Sequence, residues 1–261
     1  MKEMYAVYRK EMGHYFVSPV AYIIVAVFLI LAFYFFNRLL AVIIQQAFEA
    51  GLEDQLGGGG AIDVPSLVMR NFFGVVSTLL LFLTPMLTMS IYAEERRRGT
   101  MELLMTSPIT DLEIVLGKFF ASLTLLVIML LPTAIGFAYM MHYSVPNAPW
   151  RVLGSDYLGV LLLGAALLAL GSFFSSLTES QLIAAMLTFG AILLLWVLDF
   201  GSDVGTSAWA SAFQYLSVFR HYDDFTRGVI DTSNVIFYLS FIVLGVFLTV
   251  RSVDSMRWRR A

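Results

Sequence analysis

The residues of this chain that could do chemistry are concentrated in one charged segment, 93–118, which reads AEERRRGTMELLMTSPITDLEIVLGK. Glu94 and Glu95 precede three arginines, and such a mixture of charges can form ion pairs and hydrogen bonds with a partner surface. The pair Gly117 and Lys118 lacks the upstream glycine spacing of a phosphate-binding loop. The chain also has no cysteine, which excludes a Cys nucleophile and a thiolate metal site. The segment is therefore suited to binding a partner surface rather than to catalysis.

A second candidate is a short acidic stretch near the C-terminus, where His221, Asp223 and Asp224 could ligate a metal ion. Two adjacent carboxylates are more often a solvated turn or a helix cap than a metal site, and His14 and His142 have no ligand spacing with them. We therefore predict no metal and no cofactor.

The composition places these residues in a membrane protein. Of the 261 residues, 59% are hydrophobic and only 13% are charged, against about 25% charged in soluble proteins. The mean hydropathy is +0.81. The net charge of −3 lacks the basic excess of a nucleic-acid binder. We expect an all-α, polytopic integral membrane protein that forms a single transmembrane domain over residues 1–261, with no nucleic-acid partner.

Six stretches are long and apolar enough to cross a bilayer, which requires roughly 20 residues. They are about 20–44, 72–92, 113–141, 157–177, 180–199 and 233–250. The fourth and fifth are so close in sequence that they must form a tight hairpin.

The distribution of positive charge predicts the orientation, because Lys and Arg are enriched in cytoplasmic loops. If both termini are cytoplasmic, the inner segments hold eleven of the 16 basic residues. These are Lys2, Arg9, Lys10, Arg96, Arg97, Arg98, Lys118, Arg251, Arg257, Arg259 and Arg260. The charged loop, 93–112, is then cytoplasmic.

The segment before the first span, 1–19, is predicted to form an amphipathic helix in the inner interface. Its apolar residues share one helical stripe before Ser18 and Pro19 end the run. They are Met4, Tyr5, Tyr8, Met12, Tyr15 and Phe16. The alternative is a simple extension of the first span.

The outer loop before the last span, 200–232, contains an apolar run of only about a dozen residues, 208–219. That length is too short to cross the bilayer. It is typical of a re-entrant or interfacial helix.

The middles of the spans contain no Asp, Glu, Lys, Arg or His, for example from Tyr157 to Thr178. Ion-coupled carriers need such groups at depth to bind the proton or ion. The pattern therefore disfavours an ion-coupled carrier, and any energy for transport must enter from outside the spans. Pro85 and Pro132 interrupt spans two and three and permit kinks there.

The charged loop is predicted to contain a short helix that begins after the N-cap Thr100. Met101, Leu104 and Met105 share one face of that helix, which is too short to be stable alone and needs a lipid or protein surface. Thr110 and Glu113 have the spacing of a capping box at the start of span three. The arginines alone could be a stop signal for span two, whereas a docking helix also explains the two glutamates.

Two segments of the chain resemble a known family, the type-2 ABC transporter permeases. They are EERRRGTMELLMTSPITDLEIVLGKF and FRHYDDFTRGVIDTSNVIFYLS. The likeness is to the subgroup that contains the gliding-motility-associated permease and the permease of the nitrous-oxide-reductase maturation transporter. It covers most of the chain, and the loop motif is specific to the family but not to a substrate.

This resemblance implies a coupling helix at about 100–106, seated in a groove of a separate ATP-hydrolysing subunit. It implies two copies of that ABC ATPase, a second permease half (a homodimer or a paralogue), contact with membrane lipid, and a place in the prokaryotic cytoplasmic membrane. An envelope accessory protein is a further expected partner, and the chain itself is not an enzyme. The expected ATPase-docking residues are Glu94, Glu95, Arg96, Arg97, Arg98, Gly99, Thr100, Met101, Glu102, Leu103, Leu104, Met105 and Thr106.

The leading hypothesis is thus the permease subunit of an ABC transporter, with export as the expected direction. The alternative is a non-transporting membrane anchor or mechanotransmitter that relays ATPase-driven motion to an envelope partner.

Overall fold

Nine helices and no strands occupy the part of the chain that the computed structural model describes, which is residues 2–55, 63–101, 109–143, 149–201 and 217–258. The predicted all-α class is confirmed for these residues. The helices are α1 Lys2–Val17, α2 Pro19–Gln55, α3 Val64–Thr88, α4 Ala93–Arg97, α5 Asp111–Tyr143, α6 Trp150–Leu177, α7 Gln181–Gly201, α8 Arg220–Thr226 and α9 Thr232–Trp258.

Five helical stretches in the described residues are long and apolar enough to cross a membrane. They are Pro19–Leu52, Val64–Arg97, Asp111–Tyr143, Trp150–Leu177 and Thr232–Ser255. A sixth, Gln181–Val197, is apolar but shorter. The described part of the chain is therefore consistent with a polytopic membrane protein that has five helices long enough to span, and the six predicted spans stay a prediction.

Two helices begin well before the apolar stretches that predicted them. α3 begins at Val64 rather than near 72, because Asp63 caps it by accepting a hydrogen bond from the Ser66 N–H at 3.4 Å. Pro65 occupies the first turn, where its missing N–H costs nothing. α6 begins at Trp150 rather than near 157. Hydropathy marks the lipid-embedded part of a helix, whereas the cap determines where the helix starts.

The centre of the bundle is formed by α3, α5 and α6. In the most apolar 18-residue stretch of each of these three helices, 61% to 67% of the residues are buried, whereas the corresponding share in α2 and α9 is 22%. Phe72, Phe73 and Phe137 pack there with ring centroids 4.9 to 5.7 Å apart. α2 and α9 therefore lie at the periphery of the chain.

The α6–α7 hairpin confirms the short connection predicted for the fourth and fifth spans. Only Thr178, Glu179 and Ser180 separate the two helices, which pack against each other. The Ser180 N–H donates to Thr178 Oγ1 at 3.1 Å, which fixes the turn. The two helices are therefore joined by a short turn with its own hydrogen bond.

The α1 helix is present, but its buried face differs from the predicted aromatic stripe. Val7 and Glu11 are buried, whereas Tyr5 and Phe16 are 62% and 52% exposed. α1 packs on α5 at Gly117, where a Cβ atom would lie 2.9 Å from the Val7 Cβ. α1 thus turns Val7 and Glu11 toward α5, and Tyr5 and Phe16 remain on its outer surface, where the membrane interface could contact them. The placement of α1 in the membrane interface stays a prediction.

The predicted helix at 208–219 lies largely outside the described residues, which resume at Ser217. The helix that the structure does describe in this loop is α8, which packs on α6 and α3. Gly159 of α6 permits the contact, because a Cβ there would lie 2.6 Å from the Phe225 Cβ.

We expect Gly159→Ala to destabilise the protein by about 1 to 3 kcal/mol, because overpacking forces Phe225 and α8 to shift. The matched control is Gly136→Ala in α5, where a Cβ would meet nothing within 4 Å. That control should be neutral or slightly stabilising, since alanine favours helix. Thermal unfolding of the two purified variants would test this, and equal melting temperatures would contradict it.

Candidate functional site

The candidate site is the junction segment, which we define as residues 89–101 between α3 and α5. The chain turns at 89–92, forms the single-turn helix α4, and leaves it through Gly99, whose φ of +70° is readily adopted only by glycine. The N–H groups of Tyr92 and Ala93 donate to Ser175 Oγ at 3.1 and 3.4 Å. The turn is therefore fixed to the end of α6.

Lys118 joins the junction segment to α1 and α5. Its side chain is only 1% exposed, and its Nζ donates to Glu11 Oε1 at 2.8 Å and to the Ile91 carbonyl at 2.9 Å. The same nitrogen forms an ion pair with Glu95 Oε2 at 3.0 Å. One buried ammonium thus contacts oxygens from α1, α4 and the turn between α3 and α4.

The charges of this cluster balance. Lys10, whose side chain is 57% exposed, donates to Glu95 Oε1 at 2.9 Å, so two lysines face two glutamates. Removing one partner of a buried ion pair leaves an uncompensated charge, whereas an exposed partner contributes little. Lys118 is therefore the member on which the cluster depends.

Arg96 extends the connection to the α6–α7 hairpin. Its Nη1 donates to the Ser176 carbonyl at 2.7 Å, and its Nη2 lies 3.5 Å from Glu179 Oε1. Ser252 of α9 donates to the same Ser176 carbonyl at 3.4 Å. α4 thus contacts α1, α5, α6 and the hairpin turn directly through Glu95 and Arg96.

Met101 faces into the protein. It is 4% exposed and packs in a small apolar cluster with Ile91, Tyr92, Val115 and Val253. The sequence placed Met101 on the docking face with Leu104 and Met105, but its side chain is occupied by this internal cluster.

The other predicted docking residues have different surroundings. Glu94 forms an ion pair with Arg98, and the Thr100 hydroxyl donates to the Glu95 carbonyl at 3.3 Å. Arg97, Gly99 and Thr100 are exposed. Five of the predicted docking residues lie outside the described residues, namely Glu102, Leu103, Leu104, Met105 and Thr106.

The predicted capping box at the start of α5 is confirmed. The Glu113 N–H donates to Thr110 Oγ1 at 3.4 Å, and the Thr110 N–H donates to Glu113 Oε2 at 3.3 Å. The start of α5 is therefore determined by a hydrogen-bonded cap formed by neighbouring residues in the sequence.

Sequence reasoning missed Glu11 and Lys118 as members of the site. Lys118 lies within the predicted third span, 113–141, and a charge inside an apolar run is a signal that a partner is required. The sequence analysis counted Lys118 only as an inner surface charge. Its partner, 107 positions earlier in the chain, has no local signature.

The acidic stretch in α8 is engaged in structural contacts. The His221 ring stacks on Phe237 with centroids 3.9 Å apart, and Asp224 accepts a hydrogen bond from Asn234 at 2.8 Å. Asp223 lies 3.6 Å from Arg70. Within the described ranges, no group of three or more His, Cys, Asp or Glu side chains could hold a metal ion.

Tyr222 anchors α8 from its other face. The Tyr222 hydroxyl donates to the Phe73 carbonyl of α3 at 3.1 Å. Burial raises the pKa of this phenol well above its usual value, so it remains a neutral donor. α8 is therefore held by both polar and apolar contacts.

Asp156 qualifies the prediction that the spans are free of ionisable groups. It precedes the stretch from Tyr157 that the prediction covered, but α6 begins at Trp150 and therefore includes it. Asp156 is fully buried, and neither carboxyl oxygen has a hydrogen-bond partner among the described residues. The bundle thus holds a buried acid near one end of α6.

Comparison with known families identifies one match. The family model described as "ABC-2 family transporter protein" matches residues 5–251, nearly the whole chain. The comparison with curated proteins found no match.

Proposed function

Because the chain belongs to the ABC-2 family of transporter membrane proteins, we propose that it is the permease subunit of an ABC exporter powered by a separate ATPase subunit. Members of this family are the membrane components of transporters, and membership implies an ABC ATPase subunit as a partner. The observation that supports a coupling role best is the buried Lys118 cluster, which ties the junction segment to α1 and α5.

The cluster supplies the mechanical requirement of this proposal. ATP hydrolysed elsewhere can change the permease only through contacts that differ between its conformational states. A push on the junction segment acts on α5 through Lys118 and on the α6–α7 hairpin through Arg96. Residues of the junction segment therefore transmit motion to helices at the centre and edge of the bundle.

The internal contacts divide the predicted docking residues into two groups. One group makes internal contacts: Glu95, Arg96 and Met101 hold the junction segment to the bundle, and Glu94 and Arg98 pair with each other within the segment. In the proposal, the surface offered to the ATPase begins at the exposed Gly99 and Thr100 and continues through residues 102–106. The proposal keeps the coupling helix predicted from the sequence. It assigns attachment to the bundle and contact with the ATPase to different residues of the loop.

The remaining architecture of the proposal follows the sequence analysis. α7 has 21 residues, which is about 31 Å at 1.5 Å per residue and matches the hydrocarbon thickness of about 30 Å. We propose α7 as the sixth span, with both termini cytoplasmic in a prokaryotic inner membrane. The complete transporter would contain a second permease half, either another copy or a paralogue, and two ATPase subunits.

Co-expression of the chain with a candidate ABC ATPase subunit from the same organism tests this proposal. We expect the two to co-purify in detergent, and ATP hydrolysis by the ATPase to change when the complex is placed in liposomes. An ATPase that neither binds the chain nor changes its rate would refute the assignment.

The mechanotransmitter alternative is distinguished in the same liposomes by flux. For a permease, ATP should drive movement of a fluorescent amphiphile or labelled peptide across the bilayer. ATPase activity stimulated by an envelope partner, with no flux of either probe, would favour the alternative.

A further inference from the structure

A groove beside the junction segment has the chemistry of a lipid site. It has a volume of about 330 Å³ and lies between the end of α1, the start of α2, the end of α3 and the junction segment. Its polar end contains His14, Arg97 and Arg98, and its apolar wall contains Val20, Ile24 and Leu87. The groove thus combines charged residues of α1 and the junction segment with apolar residues of two spans.

The apolar wall runs along two membrane spans. Val20 and Ile24 lie in the first two turns of α2, and Leu87 lies in the last turn of α3. Ile24 and Leu87 are each 3% exposed and form the floor, while Val20, at 46%, borders the opening. A molecule that fits must place an apolar chain against the spans and a polar group at their ends, as a phospholipid does.

The charge at the polar end selects an anionic headgroup. Arg98 is paired with Glu94, whereas Arg97 is exposed and has no ion pair within the described residues. The net charge of these three side chains is +1, which complements a single phosphodiester. Glu94 already forms an ion pair with Arg98, so an ammonium headgroup would find no unpaired carboxylate among these three side chains.

We propose that this groove binds the headgroup of an anionic phospholipid through Arg97, with one acyl chain against Val20 and Ile24. Such a lipid connects the corner between α1 and α2 to the junction segment. The proposal does not depend on the ATPase, because Arg97, although among the docking residues predicted from the sequence, lies outside the contact surface proposed at Gly99, Thr100 and residues 102–106. A soluble partner is a poor occupant, since it would have to cover a wall that continues into the membrane spans.

Native mass spectrometry of the full chain in detergent tests this site. The protein would be titrated with phosphatidylglycerol and with phosphatidylcholine of the same acyl chains. We expect phosphatidylglycerol to bind more tightly, and Arg97→Gln to weaken its binding about fivefold. The matched control is Arg9→Gln, an equal charge change at an exposed residue of α1 that does not line the groove. Equal binding of the two lipids, or equal losses in both variants, would overturn the proposal.

A second variant tests the acyl chain and the competing occupant. Val20→Trp adds bulk at the groove opening and should weaken phosphatidylglycerol binding without lowering the melting temperature, because Val20 is half exposed. Val20→Cys would be the only cysteine in the chain. A disulfide-linked dimer of that variant in membranes would show that a second copy covers the groove, and the lipid site would be refuted.

Discussion

The substitution Lys118→Met is expected to lower the free energy of unfolding by about 3 to 5 kcal/mol, because it leaves buried carboxylates without their cation. Methionine has nearly the same shape as the apolar part of the lysine side chain, so little of the loss comes from packing. The two carboxylates belong to Glu11 and Glu95, which lie 2.8 and 3.0 Å from the ammonium. Thermal unfolding of the purified chain in detergent, followed by tryptophan fluorescence, would measure the effect.

Two further variants separate charge from packing. Lys10→Met removes the exposed partner of Glu95 and should cost about 0 to 1 kcal/mol. Adding Glu11→Gln and Glu95→Gln to Lys118→Met removes the orphaned charges and should recover much of the lost stability. If Lys118→Met costs no more than Lys10→Met, the buried cluster does not hold α1 and α4 in place.

The double substitution Leu104→Asp and Met105→Asp is expected to abolish co-purification with the ATPase while the permease remains folded. Central apolar contacts in an interface contribute about 2 kcal/mol or more each. Losing two would weaken binding by about three orders of magnitude. The measurement is pull-down of the ATPase from detergent, with the melting temperature of the permease recorded in parallel.

Met101→Asp provides the contrast, since Met101 is buried against Ile91 and Val253. It should lower the melting temperature of the permease, whereas the double variant should not. Arg97→Glu should change association by no more than about 0 to 1 kcal/mol, because Arg97 is exposed and lies outside the proposed contact surface. Unchanged co-purification of the double variant would remove the coupling-helix assignment.

Local patterns predicted much of the fold. The all-helical class, the short α6–α7 connection and the Thr110–Glu113 cap depend on residues close together in the chain, and each is present. Helix starts at Val64 and Trp150 were not predicted, because apolar length was used as the boundary. For the helix that starts at Val64, the Asp63 cap is a better marker than hydropathy, whereas the helix that starts at Trp150 has no side-chain cap.

The candidate site was only partly predictable, because its central contacts are long-range. The charged loop was recognised from composition, but composition does not reveal which charges are internal. Glu95 and Arg96 bind groups on α1, α5 and α6, so they hold the loop in place. Glu11 lies on a helix with an aromatic stripe, and its sequence context predicts a solvated residue. Only its partner on α5 shows that it is buried.

The distance in sequence between Glu11 and Lys118 has a consequence for biosynthesis. Glu11 precedes its partner by 107 residues, and at about 5 to 20 residues per second its carboxylate waits roughly 5 to 20 s for the cation to be translated. Until then α1 has no docking surface on α5 and must remain outside the assembling bundle. α1 is therefore translated before α5 but can dock only after α5 has been made.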